Sequence, residues 1–398
     1  MVINEGLIAA IDAAGSSRET PDATDHDLDG FLLLPAAADP HAHLDKALSA
    51  DSVPNPTRDL SGAIDAWERH YPRLSVDEIA DRARLAALSG LARGYSSIRT
   101  HIDVAEAVGL KPVHALLRVR AELIDLVEIQ ICGLVAVPTT GVAGAGNRDT
   151  LRQALEMGLD VVGGAVWRDP DPVAGLEFLL GEAASFGLPI DLHLDETLEP
   201  TVLVLADFAR LVRATGFRFG ATASHCVSLG VQTVGVQETV AGEVAAAGIS
   251  VVANPFTNLY LQARDHPVAP PRGLTALRPL LAAGANLAAG TDNVEDPFNI
   301  MGRPDPLEVA SLLVIAGHLS PEEAYWAVSG GARRAMGLPP VAITVGSAAD
   351  LLAVRAESLR QALATGSPER LVFRRGELVA RTTVSEWIAT GRGSGTDR

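Results

Sequence analysis

Short apolar, β-branched runs alternate with amphipathic stretches along most of the chain. Eight runs read as strands: residues 31–36, 97–104, 127–134, 161–165, 190–194, 220–226, 249–253 and 285–289. The stretches between them (111–123, 148–157, 172–186, 199–215, 237–247 and 275–283) have helical spacing or composition. A longer stretch, residues 60–93, carries Ile64, Trp67, Ile79, Ala83, Leu88 and Leu91 at helical spacing and stops at Gly94. Strands alternating with helices predict parallel βαβ units. Eight of them over roughly 260 residues predict an α/β fold, a (β/α)8 barrel of the TIM type. An open doubly wound sheet is the alternative, and the lack of a GxGxxG motif after the first run weighs against it.

The ends break this rhythm. Residues 2–11 read as two short strands around a turn at Glu5-Gly6, and residues 13–29 as a polar loop. Helical segments at 307–317 and 321–336 follow the eighth run, and short strands at 341–354 and 371–383 follow those. The tail strands are expected to pair with the N-terminal ones. That divides the chain into a small β-subdomain, residues 1–30 and 340–390, and a barrel, residues 31–339. Residues 391–398 read as a frayed end.

Composition narrows the partners. The chain has 398 residues, 47% hydrophobic, enough for a large buried core. A net charge of -17 disfavours nucleic acid. Cys132 and Cys226 each sit in an apolar segment, which gives no disulfide framework and suits a reducing cytoplasm. No apolar run is long enough to predict a membrane span. The first residues lack the basic start of a signal peptide. The apolar helix surface leaves a homo-oligomer open, though no motif specifies one.

The polar residues that break the pattern cluster at strand ends, where barrels place their chemistry. The first run ends in Asp39-Pro40-His41-Ala42-His43. Residues i and i+2 of a strand share a face, so His41 and His43 can give two nitrogens to one divalent metal. Alone, such a pair reads equally as two solvated histidines in a turn. Strand two ends Arg99-Thr100-His101-Ile102-Asp103, and strand three carries Gln130. Strand five ends His193-Leu194-Asp195-Glu196, strand six Ser224-His225, and strand eight Thr291-Asp292-Asn293.

Taken together, these predict that His41, His43, His193 and Asp292 converge on one divalent metal ion, zinc or iron, with a position left for water. Such a metal would lower the pKa of that water and supply hydroxide near neutral pH. Glu196 is placed to move protons, and His225 could hold the attacking oxygen. Each has a structural rival. His193 could be a core histidine, Asp292 part of a turn, Glu196 a cap for the next helix, and His225 structural. His101 and Asp103 read as structural. Gln130 has apolar neighbours, and a buried amide needs partners. Histidines 26, 70, 114, 266 and 318 read as surface.

The blocks DPHAHLDK, SIRTHIDV, EIQICGL, DVVGG, IDLHLDE, ASHC, VVANPFTNLYLQAR and GTDNVEDPF resemble, in order, those of the amidohydrolase superfamily and its cytosine deaminase branch. The resemblance covers most of the chain. It implies a (β/α)8 barrel with a small β-subdomain and one catalytic metal. It implies that His41, His43, His193 and Asp292 are ligands and that Glu196 shuttles protons. His225 would help activate water, and Gln130 would read the substrate's amide edge. The absence of a metal-bridging lysine on strand four agrees with a single metal.

Two positions depart from the branch. Asn293 stands where cytosine deaminases have a second aspartate, and Phe298 where they have a tryptophan. Asn293 is more like N-isopropylammelide hydrolase, which lacks the glutamate matching Glu196. The family's first β-strand is also expected to be missing from the start of the chain.

The resemblance implies a hydrolytic deaminase of a small nitrogen heterocycle, cytosine-like or related. Metal-bound hydroxide would attack an amidine-like ring carbon and release ammonia. Asn293 and Phe298 would then be substrate-wall residues. The alternative is removal of an alkylamine from an s-triazine-type ring, and a non-catalytic member of the fold is a third reading.

Overall fold

The computed structural model describes residues 1–12 and 24–388. The loop expected over 13–29 lies largely outside them, and the frayed end expected over 391–398 lies wholly outside. Eight parallel strands form one sheet in chain order: Ala37–Ala42, Tyr95–Val104, Glu128–Val135, Val161–Gly164, Ile190–Leu194, Ala221–His225, Ser250–Ala253 and Asn286–Ala289. The sheet closes on itself. Ala42 bridges Asp292, and the Asp292 N–H donates to the His41 carbonyl at 2.8 Å. The fold is therefore the (β/α)8 barrel that the alternation predicts.

Helices cover the outside and end where local sequence dictates. The region 60–93 is two helices rather than one. Pro72 lacks an N–H and falls in a short 3-10 turn, Tyr71–Arg73, which ends the helix Leu60–His70. Ser75 then caps a new helix, Val76–Arg93, by accepting from the Glu78 N–H. Gly94 ends that helix at φ 113°, a conformation that favours glycine. Its Ile79, Ala83 and Leu91 are buried in the main core, as the spacing predicts, and Leu88 packs against that core partly buried.

The terminal segments form two antiparallel sheets. Val2–Asn4 pairs with Leu7–Ala10. A four-stranded sheet joins Phe31–Pro35 to Leu351–Arg355, Arg370–Arg374 and Glu377–Thr382. This changes the reading of residues 31–36. The apolar run Phe31 to Leu34 is a strand of the small sheet, with Leu34 opposite Leu352. The first barrel strand starts only at Ala37. Hydropathy cannot show the break, because the residues on both sides of it are apolar. The tail strands thus pair chiefly with residues 31–35, not with the N-terminal hairpin, which is tied on by the Leu7–Ala348 bridge and the Ile8 N–H to Ser347 carbonyl bond. Among the described residues, no helix is long and apolar enough to cross a membrane.

Candidate active site

The C-terminal ends of the first, fifth and eighth strands bring His41, His43, His193 and Asp292 together. His43 Nε2 lies 3.2 Å from His193 Nε2 and 3.3 Å from Asp292 Oδ1. His41 Nε2 lies 3.6 Å from the same oxygen. All four side chains are buried. Two tautomers follow from the neighbours. His41 Nδ1 lies 2.9 Å from Ser224 Oγ, whose proton goes to Asp191 Oδ1 at 3.1 Å. The serine therefore accepts, and His41 carries its proton on Nδ1. His43 Nδ1 donates to the His101 carbonyl at 3.0 Å. Both rings thus aim an Nε2 lone pair at one point.

These atoms fit a divalent metal. His41 Nε2 and both Asp292 carboxylate oxygens are buried without a hydrogen-bond partner, a costly state for polar atoms unless something else satisfies them. The separations are close to the roughly 3.3 Å edge of a tetrahedron with ~2.0–2.1 Å bonds. Burial, then the neighbouring imidazoles, hold His41 and His193 well below the usual histidine range. Burial and then Lys46 do the same for His43. The rings are therefore neutral, as ligands must be. Burial raises Asp292 to about 6, against the opposing pull of His225.

Close packing holds this cluster. A Cβ on Gly290 would lie 2.7 Å from the His41 Cβ and 2.7 Å from its carbonyl oxygen. The Gly290→Ala variant is expected to lose about 1–3 kcal/mol of stability through overpacking and to bind less metal. Thermal melts and elemental analysis check both. Behind His41, Asp191 also takes the Arg99 guanidinium at 2.8 Å. The His101 ring stacks 4.1 Å from His41, with Nε2 3.7 Å from Asp191. His101 is thus part of the buried network under the cluster, in keeping with a structural role.

Glu196 and His225 face one another across the cavity, Oε1 to Nδ1 at 3.4 Å. Burial, reinforced by Asp292, pushes the Glu196 carboxyl well above its ordinary range. Glu196 does not cap the following helix. Its neighbour Asp195 does, accepting from the Val204 and Leu205 N–H groups at 3.0 Å each. Asp195, His225 and Asp292 all have positive φ, at 53°, 69° and 65°. Such backbone is sparsely populated for residues with a Cβ and concentrates at functional sites. The sharp turns aim His225 and Asp292 into the cavity, while the turn at Asp195 aims its carboxylate at the next helix.

Residues the sequence reading passed over complete the site. Asn254 and Asn258, four apart around the helix Pro255–Leu261, both lie beside His225, with Asn258 Nδ2 at 3.2 Å from its Nδ1. That i, i+4 spacing after a strand was the available signal. Lys46 is buried in the cavity wall, paired with Asp103 at 2.9 Å and Asp45 at 3.3 Å. Burial alone would lower its pKa; the two carboxylates reverse that, so it stays charged. Asp103 also accepts from Trp67 Nε1 at 2.6 Å. Trp67, Tyr71, Trp167 and Phe298 give the cavity aromatic walls.

Asn293 and Phe298 line this cavity. The Asn293 amide donates to buried Asp296 at 2.8 Å, which leaves its carbonyl oxygen to face outward as an acceptor. Gln130 is the exception among the expected site residues. It is the third residue of its strand, far from the C-terminal end. Its amide oxygen takes the Arg99 Nε–H at 3.1 Å, and its NH2 donates to the Met336 carbonyl at 3.0 Å. It does not border the cavity. Its half-buried amide is engaged on both sides by protein groups, and no edge is left to read a substrate. Of the five other histidines, 114, 266 and 318 are exposed, and 26 and 70 are half-buried.

The fold has close counterparts. The chain is 34% identical over 393 residues to a pterin deaminase of Rhizobium rhizogenes, covering 96% of this chain and 88% of that protein. The 5-methylcytosine deaminase of Klebsiella pneumoniae, solved with 5-fluorocytosine, superposes with a TM-score of 0.88 at 27% identity, covering 98% of this chain and 96% of that one. N-isopropylammelide isopropylaminohydrolase of Burkholderia multivorans superposes at 0.81 with 29% identity, covering 95% and 94%. A sequence model described as the amidohydrolase family matches residues 87–386. With that match spanning most of a barrel whose strand ends gather three histidines and an aspartate, the chain belongs to the amidohydrolase family.

Proposed function

We propose that this protein is a metal-dependent deaminase that hydrolyses the cyclic amidine of an amino-substituted nitrogen heterocycle and releases ammonia. One observation carries the reading: a buried carboxylate, Glu196, faces the cavity beside the candidate metal ligands and is not needed to cap a helix. Substitution at an amidine carbon needs a group that protonates the ring nitrogen and then the departing amine. Glu196 has the burial and position for both.

His41, His43, His193 and Asp292 would hold the metal. When bound, it supplies hydroxide near neutral pH. His225, turned toward the cavity by Asn254 and Asn258, would orient the attacking oxygen. Glu196 takes the oxygen's proton and gives it to the ring nitrogen as the new C–O bond forms. It then takes the proton left on that oxygen and relays it to the exocyclic nitrogen as the C–N bond breaks, the C=O forms and ammonia leaves. Asn293 would accept from a ring N–H or amino group, and Phe298, with the tryptophans, would stack on the ring. The aromatic walls and the pterin deaminase relative support a fused two-ring substrate of the 2-amino-4-oxo type over a lone pyrimidine.

The rival reading, release of an alkylamine from an s-triazine-type ring, draws on Asn293 and the ammelide hydrolase likeness. Measuring ammonia against alkylamine over pterins, pyrimidines, purines and aminotriazines separates the two. Ammonia from a pterin-type ring is the expected outcome. Alkylamine as the sole product would overturn the proposal.

A further inference from the structure

The wall between the catalytic cavity and the adjoining surface groove is shared by Leu60, Ile64, Glu196 and a short 3-10 turn, Val166–Arg168, just after the fourth barrel strand. Trp167 and Arg168 on this turn border both spaces. The turn is fastened from behind. Asp169 accepts from Thr139 N–H at 2.5 Å, Thr139 Oγ1 at 2.7 Å and Thr140 Oγ1, so the acid next in sequence to Arg168 is fully engaged. No hydrogen bond or ion pair links the Arg168 guanidinium to any described residue. The acids that feel its charge are Glu68 and Glu196. Burial raises both, and Arg168 pulls both back.

Lys46, the other cation of the cavity, is already shared between Asp45 and Asp103. An uncommitted guanidinium on the lip of an otherwise acidic and aromatic cavity, in a chain of net charge -17, invites an anion. We propose that Arg168 binds a carboxylate carried by the substrate's ring, on the side away from the amidine carbon. The proposal rests on the deaminase reading of the cavity. A singly charged group suits it better than a phosphate. The groove beyond also holds Asp59, Glu199 and Asp265, which would repel a dianion, and its second arginine, Arg264, is stacked on Tyr260 at 4.4 Å. Guanidinium and carboxylate are planar and can pair through two parallel hydrogen bonds.

The test compares two 2-amino-4-oxopteridines, one with and one without a carboxylate on the second ring, on the metal-loaded full chain. For the wild type, kcat/KM is expected to favour the carboxylated ring, and the preference should shrink as salt rises. In Arg168→Gln the ratio of the two kcat/KM values should fall about tenfold, through KM rather than kcat, and Arg168→Lys should recover part of it. A third pteridine bearing a phosphate monoester should gain less from Arg168 than the carboxylate does. If Arg168→Gln lowers both rates equally through kcat, the arginine acts on Glu196 and the proposal is wrong. An unchanged ratio, or a larger gain for the phosphate, also overturns it. If the wild type deaminates neither ring, the deaminase reading itself has failed, a result distinct from any of these.

Discussion

Glu196→Gln is expected to lower kcat by about 10²–10⁴-fold, the usual range for a general acid–base, while bound metal stays at the wild-type level. Glutamine keeps the volume of the side chain and can still face Asn258 and His225, but it cannot carry a proton between oxygen and nitrogen. The variant should melt no lower than the wild type. The helix after the fifth strand is capped by Asp195, so nothing structural depends on a negative charge at 196. Removing a buried carboxylate that is pushed well above its ordinary range relieves a cost of burial. Ammonia release, elemental analysis and a thermal melt on one preparation check the three parts. Wild-type turnover would mean that another group moves the protons.

Stripping the metal with a chelator is expected to abolish turnover and to lower stability by about 4 kcal/mol, the linkage expected when free metal had stood near a thousand times its dissociation constant. Re-addition of zinc or iron should restore both. The pH dependence of rebinding follows from the ligands themselves. His41, His43 and His193 are held far below the usual histidine range, so near neutrality protons do not compete for them. Asp292 is raised to about 6. Affinity should therefore be flat above about pH 7 and fall roughly tenfold per pH unit below about 6, one proton released per metal. Three imidazoles titrating at the ordinary 6.5 would give a slope several times steeper. Competition with a chromogenic chelator from pH 5 to 8 measures it.

Much of this site could be read from the sequence because barrel strands are short and buried. A polar residue at the end of an apolar run has few places to go but the rim. That logic brought His41, His43, His193, His225 and Asp292 into view. The role that the resemblance implied for Gln130 does not fit its place, because the residue lies early within its strand and hydropathy identifies a strand but not how deep along it a residue sits. The strand-end logic failed at residues 31–36, where one apolar run serves two sheets in succession. Lys46, Asp103 and Trp67 were hidden for another reason. Their meaning is pairwise, a buried cation with its carboxylates and an indole N–H, and the partners are up to nearly sixty residues apart in sequence.

The strand Phe31–Pro35 leads directly into the histidine-bearing first barrel strand, yet its partner, Leu351–Arg355, is synthesised roughly 320 residues later. At translation rates of about 5–20 residues per second, that apolar strand waits some fifteen seconds to a minute for its neighbour. During that interval its unpaired edge is a template for other chains. The seam between the first and eighth strands stays open for most of the same period. Yield of active protein in a cell should therefore depend on chaperone capacity and on an intact C-terminal tail, even though no described residue of that tail borders the cavity.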